Sequence, residues 1–280
     1  ARVRMGKITG GAILAAALAG LPNALRAPDR TLAAHTLTIT SYEYTLQAPD
    51  TVSAGVVTVR LVNRGKEGHQ VAFGRLDDSS SLTRVMRTLV EDKKRTTGVH
   101  WVGGVENASP KGESDATLVL RPGRYVILCA YEGDDGHAHV SHGMLRALVV
   151  TPGASPADTI LPAASTVARL TDYAIDFAPS LHAGRQLVRV ENRGTHAHHL
   201  IVARIVGNAT AAEIVKWDGK SKPAPIEDIG EGGAILEPGQ AEVIPLTLSP
   251  GRYMFACVLS DSTGAKPHFL LGMTKEVAIR

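Results

Sequence analysis

Residues 122–129 read Pro-Gly-Arg-Tyr-Val-Ile-Leu-Cys, and residues 250–257 read Pro-Gly-Arg-Tyr-Met-Phe-Ala-Cys. The chain has only two cysteines, so each ends the same local phrase. A histidine and a Gly-Met pair follow each one: His139 and Gly143-Met144 after Cys129, His268 and Gly272-Met273 after Cys257. Upstream, Asn63-Arg64-Gly65 leads to His69, and Asn192-Arg193-Gly194 leads to His198. The Asn, His, Gly and Met landmarks recur at a shift of 129, and the Pro-Gly-Arg-Tyr…Cys phrase at a shift of 128. Gly103-Gly104 maps on Gly232-Gly233, and the polar helix start at Ser79 falls near Asn208. The chain is therefore a duplicated domain, with a period far too long for a solenoid.

Each copy alternates as a half-buried strand does. Val59 and Leu61 before one Asn-Arg-Gly turn, and Val188 and Val190 before the other, fall on a core face with charges between them. Strands beginning at His69 and His198 follow. Leu82, Val85, Met86, Leu89 and Val90 keep a helical spacing behind a Ser-rich start, and Ala211 to Trp217 forms a shorter equivalent. Ala116 to Leu120, the Pro-Gly turn and Tyr125 to Cys129 read as a hairpin, with Tyr125, Ile127 and Cys129 on one face and Tyr253, Phe255 and Cys257 matching them. Short strands with one small helix per copy imply two tandem Greek-key β-sandwiches, an all-β fold. Thr151 to Ala164, broken by Pro152, Gly153, Pro156 and Pro162, reads as a linker (151–164) between a first domain at 34–150 and a second at 165–280.

One thiolate, two imidazoles and one thioether, repeated twice, form the ligand set of a mononuclear blue-copper site. A disulfide between the cysteines is the competing reading. It requires Cα atoms within about 7 Å, whereas equivalent positions in tandem domains ordinarily lie a domain-width apart. Metal ligation is the better explanation.

These residues resemble the cupredoxin family. The Pro-Gly-Arg-Tyr-x-Phe-x-Cys phrase of the second half is similar to the plastocyanin-type strand leading to the copper thiolate. His139-Val140-Ser141-His142-Gly143-Met144 is similar to the type 1 segment of copper nitrite reductases. The resemblance covers about residues 36–280. It implies cupredoxin-like domains holding up to two type 1 coppers per chain, one on His69, Cys129, His139 and Met144, the other on His198, Cys257, His268 and Met273. It also departs from the enzymes. The histidine that precedes the copper cysteine in nitrite reductases and multicopper oxidases is replaced by Leu128 and Ala256. A further histidine that nitrite reductases carry on the strand after the first ligand is missing from Val71–Arg75 and Leu200–Arg204. The expected role is therefore electron transfer with a redox partner protein. The alternatives are a nitrite-reductase-like or multicopper-oxidase-like oxidoreductase, and a copper delivery or buffering protein.

His137, His142, His196 and His199 leave open a second metal site between the domains. Exposed loop histidines are the simpler account, with Glu132, Asp134 and Asp135 as solvated turn residues. His35, His100 and His182 read as surface or capping residues. A net charge of +3 without a basic block gives nucleic-acid binding no support. Arg2, Arg4 and Lys7 flank an apolar run from Ile8 to Leu21, which reads as a signal peptide over residues 1–27. That implies a periplasmic or secreted protein, with membrane attachment only if the segment stays uncleaved.

Overall fold

The alternation in the sequence becomes seventeen strands among the described residues. The computed structural model describes residues 35–88, 97–153, 159–217, 221–261 and 265–280, so the proposed signal segment lies outside them. The first half contains β1 (His35–Tyr42), β2 (Thr45–Gln47), β3 (Thr51–Ser53), β4 (Gly55–Asn63), β5 (His69–Leu76), helix α1 (Leu82–Met86), β6 (Val99–Ala108), β7 (Glu113–Leu120), β8 (Gly123–Leu128) and β9 (Leu145–Thr151). The second half contains β10 (Thr166–Thr171), β11 (Ala174–Ala178), β12 (Gly184–Asn192), β13 (His198–Ile205), helix α2 (Ala211–Lys216), β14 (Ile226–Leu236), β15 (Ala241–Leu248), β16 (Gly251–Ala256) and β17 (Thr274–Ile279).

The two halves share their sheets. One sheet runs β11-β10-β12-β15-β7-β4-β1-β2, the other β17-β16-β13-β14-β6-β5-β8-β9-β3. At the seam β15 lies antiparallel to β7, with Glu242 opposite Leu118, and β14 antiparallel to β6, with Gly233 opposite Val105. The facing strands are repeat equivalents, so a pseudo-twofold axis passes between them. The apolar faces of both sheets close on one core containing Ile39, Val59, Leu61, Phe73 and Leu118 from the first half with Leu170, Val190, Leu246 and Phe255 from the second.

The cysteine strand is buried on both faces. Tyr125, Ile127 and Cys129 point into the main core, while Val126 and Leu128 point the other way, into a smaller cluster with Ala72, Val85, Trp101 and Val140. Helix α1, capped by the Ser81 side chain on the Arg84 N–H, supplies Val85 to that cluster. Helix α2 starts with a capping box between Thr210 and Glu213. The expected continuation of the first helix through Leu89 and Val90 lies outside the described residues.

One expectation fails. β7 and β8 form no hairpin, because β7 pairs with β4 and β15 while β8 pairs with β5 and β9. The Pro-Gly turn instead carries the chain from one sheet to the other. The Tyr125 hydroxyl fixes that corner by donating to the Arg121 carbonyl (2.9 Å) and accepting the Arg121 N–H (3.2 Å). Tyr253 does the same with Ser249. A tyrosine corner of this kind belongs to sandwiches whose chain changes sheets.

A carboxylate is buried at the seam. Glu242 accepts the Gly104 N–H across it at 2.7 Å. Burial pushes its carboxyl up from 4.5 to about 8, against the opposing pull of the Gly104 and Ala234 N–H groups. The folded chain thus keeps this proton where the unfolded chain has lost it, so stability falls as pH rises from 4.5 to about 8. Glu242→Gln should flatten that slope. Denaturant midpoints should be similar at pH 5, with the variant more stable at pH 8 by on the order of a few kcal/mol. Parallel pH profiles for the two proteins would contradict this assignment.

Candidate metal centres

Each centre begins with the buried asparagine of the Asn-Arg-Gly turn. Asn63 Nδ2 donates to the carbonyls of Glu67 (2.7 Å) and Ala108 (2.8 Å), while its Oδ1 accepts the Gly65 N–H. Asn192 repeats this on His196, Leu236 and Gly194. The turn is thereby pinned, and the histidine after it enters β5 or β13 at a fixed place. Asn192→Ala would orphan one buried and one half-buried carbonyl and one half-buried N–H. We expect a loss of about 2–4 kcal/mol in chemical denaturation, and unchanged stability would refute the role given to this side chain.

The other donors come from the loop after β8. β5 and β8 run antiparallel with Ala72 opposite Leu128, which brings His69 alongside Cys129. The loop returns to a 3-10 turn, His139–His142, that ends on Gly143 in the left-handed region (φ 91°). Only glycine adopts that conformation without strain, which explains its place before Met144. The Cys129 N–H then donates to the Met144 carbonyl and the Met144 N–H to the His139 carbonyl, both at 3.1 Å. The second half repeats this with a 3-10 turn at His268–Leu271, Gly272 at φ 108°, and the same pairs among Cys257, Met273 and His268. Cys129, His69, His139 and Met144 are wholly buried, as are Cys257, His198, His268 and Met273.

The donor atoms converge. His69 Nδ1 lies 3.1 Å from His139 Nδ1, and Cys129 Sγ lies 4.0 and 3.5 Å from those two nitrogens. In the second half His198 Nδ1 is 3.1 Å from His268 Nδ1, and Cys257 Sγ is 3.5 Å from His268 Nδ1. Both cysteines are free thiols, so the competing disulfide is absent. Two buried His-Cys-His groups thus sit at equivalent ends of the two halves.

Comparisons with solved structures give distant matches. One is the dithionite-reduced auracyanin of Roseiflexus castenholzii, 21% identical over 42% of this chain and 98% of that one, with a TM-score of 0.32. A multicopper oxidase is 12% identical over 88% of each chain, with a TM-score of 0.27. A copper-containing nitrite reductase of Thermus scotoductus is 14% identical over 88% of this chain and 61% of that one, with a TM-score of 0.24. No protein-family model and no curated protein matches the sequence.

The donor set fits a type 1 copper ion, and the outward nitrogens of the imidazoles explain how. His139 Nε2 meets Glu67 Oε2 at 2.7 Å, and Glu43 Oε1 lies 3.5 Å from His69 Nε2. In the second half His198 Nε2 meets Asp172 and His268 Nε2 meets Asp261, each at 2.7 Å. A carboxylate on Nε2 holds the proton there and leaves Nδ1 with its lone pair. Two such lone pairs facing at 3.1 Å beside a sulfur are a cradle for a cation. Gln70 N–H and His199 N–H point at the two sulfurs (3.4 and 3.5 Å), as donors to a thiolate would. Without metal, burial pushes the Cys129 thiol up to about 12 and the Cys257 thiol up to about 11.

Glu43, Asp172 and Asp261 are held as anions. Partial burial works against Glu43, but the N–H groups of Glu67 and Lys66 bring it down to about 2. Asp172 is likewise held well below the usual range, its partial burial outweighed by Thr195, His198 and His196. Asp261 is lowered by Tyr173 and His268 against the effect of burial. Sequence reasoning missed all four acids. Glu43 and Asp172 were detectable, since each precedes a tyrosine at a shift of 129. Glu67 and Asp261 were not, because they occupy unrelated positions. The repeat equivalent of Glu67 is His196, and that of Asp261 is Gly133. A Cβ at Gly133 would fall 2.8 Å from Glu67 Oε2 and 3.0 Å from His139 Nε2. The two halves therefore bring an acid to the same nitrogen from different sides, and a glycine in one half makes room for what an aspartate supplies in the other.

The extra histidines do not gather between the halves. His199 is buried, its Nε2 accepting the Val258 N–H and its Nδ1 3.8 Å from Glu106. Burial keeps it neutral down to about 3. His196 stacks on Tyr173, with Nδ1 3.4 Å from Asp172. His137 and His142 lie together on the first ligand loop, and Asp135, expected to be a solvated turn residue, lies with them. His100 bridges Asp77 and Glu237, while His35 and His182 meet backbone carbonyls. Among the described residues no helix is long and apolar enough to cross a membrane.

Proposed function

We propose that this chain is an exported electron-transfer protein carrying two type 1 coppers, one on His69, Cys129, His139 and Met144, the other on His198, Cys257, His268 and Met273. The observation that carries the reading is the twofold convergence of two Nδ1 atoms and one Sγ in a fully buried pocket. Copper supplies a one-electron couple when bound in such a set. The chain's residues do the rest. The sandwich ends and the backbone bonds between cysteine, histidine and methionine fix the donors, which favours a site that changes little between oxidation states. Burial excludes water from the sulfur. The carboxylates fix the imidazole tautomers and add negative charge that favours the oxidised ion.

The basic flank and apolar run at residues 2–21 support export to a periplasmic or extracellular space. The electron would go to, and come from, a partner protein. The test is a Cu(II) titration of the purified chain with metal analysis. A thiolate-to-copper band in the visible that saturates at two coppers per chain, and bleaches on reduction, is expected. A colourless protein that holds only Cu(I) would replace electron transfer with copper delivery.

A further inference from the structure

The ligand loop of the first half carries a group of side chains that the buried centre does not use. Asp135 Oδ2 lies 2.8 Å from His142 Nε2 and 3.6 Å from His137 Nδ1. One donor atom from each of the three residues lies within 4.8 Å of the others. All three side chains reach solvent, and the imidazole edges of His137 and His142 meet at a centroid distance of 6.1 Å.

The group is ordered from several directions. The other oxygen of Asp135 accepts the His137 N–H at 2.9 Å, which aims the carboxylate back into its own loop. The loop is closed by Gly133 N–H on the His137 carbonyl and Gly136 N–H on the Gly133 carbonyl, both at 2.9 Å. His142 belongs to the 3-10 turn that begins at His139, and its ring stacks on Tyr44 at 4.3 Å and 23°. An ion pair between Asp135 and His142 accounts for two of the three groups. It leaves the approach of His137 unexplained, and an exposed pair of this kind contributes little to stability.

We propose that Asp135, His137 and His142 form a surface site for one divalent transition-metal ion, zinc or copper(II), with three protein ligands and the remaining positions open to water. Two imidazoles and a carboxylate suit these borderline ions. The absence of sulfur sets the site apart from the buried centres and disfavours Cu(I). Among the described residues the group occurs once, and the repeat equivalent of His142 is Leu271. It also lies one turn from a buried centre. Tyr44 packs between the two, its ring 5.1 Å from His139 and 4.3 Å from His142.

The experiment is a calorimetric titration of zinc chloride alone into the copper-loaded full chain, with histidine resonances followed by NMR. One zinc per chain is expected, moving the imidazole signals of His137 and His142. His137→Ala and Asp135→Asn should each abolish that equivalent and leave the visible spectrum unchanged. The same titration into the full chain carrying Cys129→Ser and Cys257→Ser should keep a zinc equivalent that depends on His137. This arm decides the question even if the buried sites prove not to bind copper. Zinc binding indifferent to both loop substitutions, or confined to other histidines, would overturn the proposal.

Discussion

Replacing Cys129 with serine should remove one of the two thiolate-to-copper bands and leave the other, with total visible absorbance per chain falling by about half. Cys257→Ser should remove the complementary share, and the double variant should be colourless. The reasoning is chemical. A hydroxyl is a hard, weakly acidic donor with no charge-transfer band in the visible, whereas a thiolate suits both oxidation states of copper. The serine remains compatible with the fold, because the Gln70 N–H that points at Cys129 Sγ can donate to Oγ instead. Absorbance and bound copper, measured on the same samples, check the result. An unchanged band in either single variant would show that the cysteine in question does not bind the chromophore.

The second large effect should follow from the carboxylates. Glu67→Gln removes the negative charge 2.7 Å from His139 Nε2, and Asp261→Asn does the same at His268. Loss of such a partner typically costs 10–100-fold in metal affinity, and Cu(II) should suffer more than Cu(I) because it carries more charge. Each substitution should therefore weaken Cu(II) binding by about 10–100-fold and raise the reduction potential of its own centre only. Spectroelectrochemical titration of single-site chains, each with the other cysteine replaced by serine, provides the measurement. Potentials that stay at the parent value in both variants would mean that these acids serve the loops and not the metal.

The ligands were legible in the sequence because three of the four in each half lie on one short loop, where spacing alone shows them as a set. The core faces were legible for a similar reason. Val59, Leu61, Val188 and Val190 alternate with charges, and all four are fully buried. What the sequence hid depends on pairing between distant segments. Nothing local shows that β7 seeks β15, or that β6 seeks β14. The Pro-Gly turn before Tyr125 looks like a hairpin turn until the sheets on either side of it are known. Of the four carboxylates, Glu43 and Asp172 recur before a tyrosine and could have been found, whereas Glu67 and Asp261 hid because the repeat does not relate their positions. Asp135 hid in plain view. Its aspartate-rich loop reads as solvent-facing, and only the folded loop turns His137 and His142 onto the carboxylate.

The seam between the halves has a further meaning in the language of assemblies. β7 meets its own repeat equivalent, β15, and β6 meets β14, so each half offers the other the same edge that it receives. Such self-complementary contact is the isologous interface of a twofold dimer. In that sense the chain is a dimer joined into one polypeptide, and the join shields four strand edges that would otherwise stand open to pairing with other molecules. It also fixes one-to-one stoichiometry between the two centres at every protein concentration, because no dissociation can separate them. Once the halves share one gene, each is free to diverge without disturbing a symmetric partner. The exposed Asp135–His137–His142 group in the first half, and the aspartate in place of a glycine beside His268 in the second, are differences of this kind.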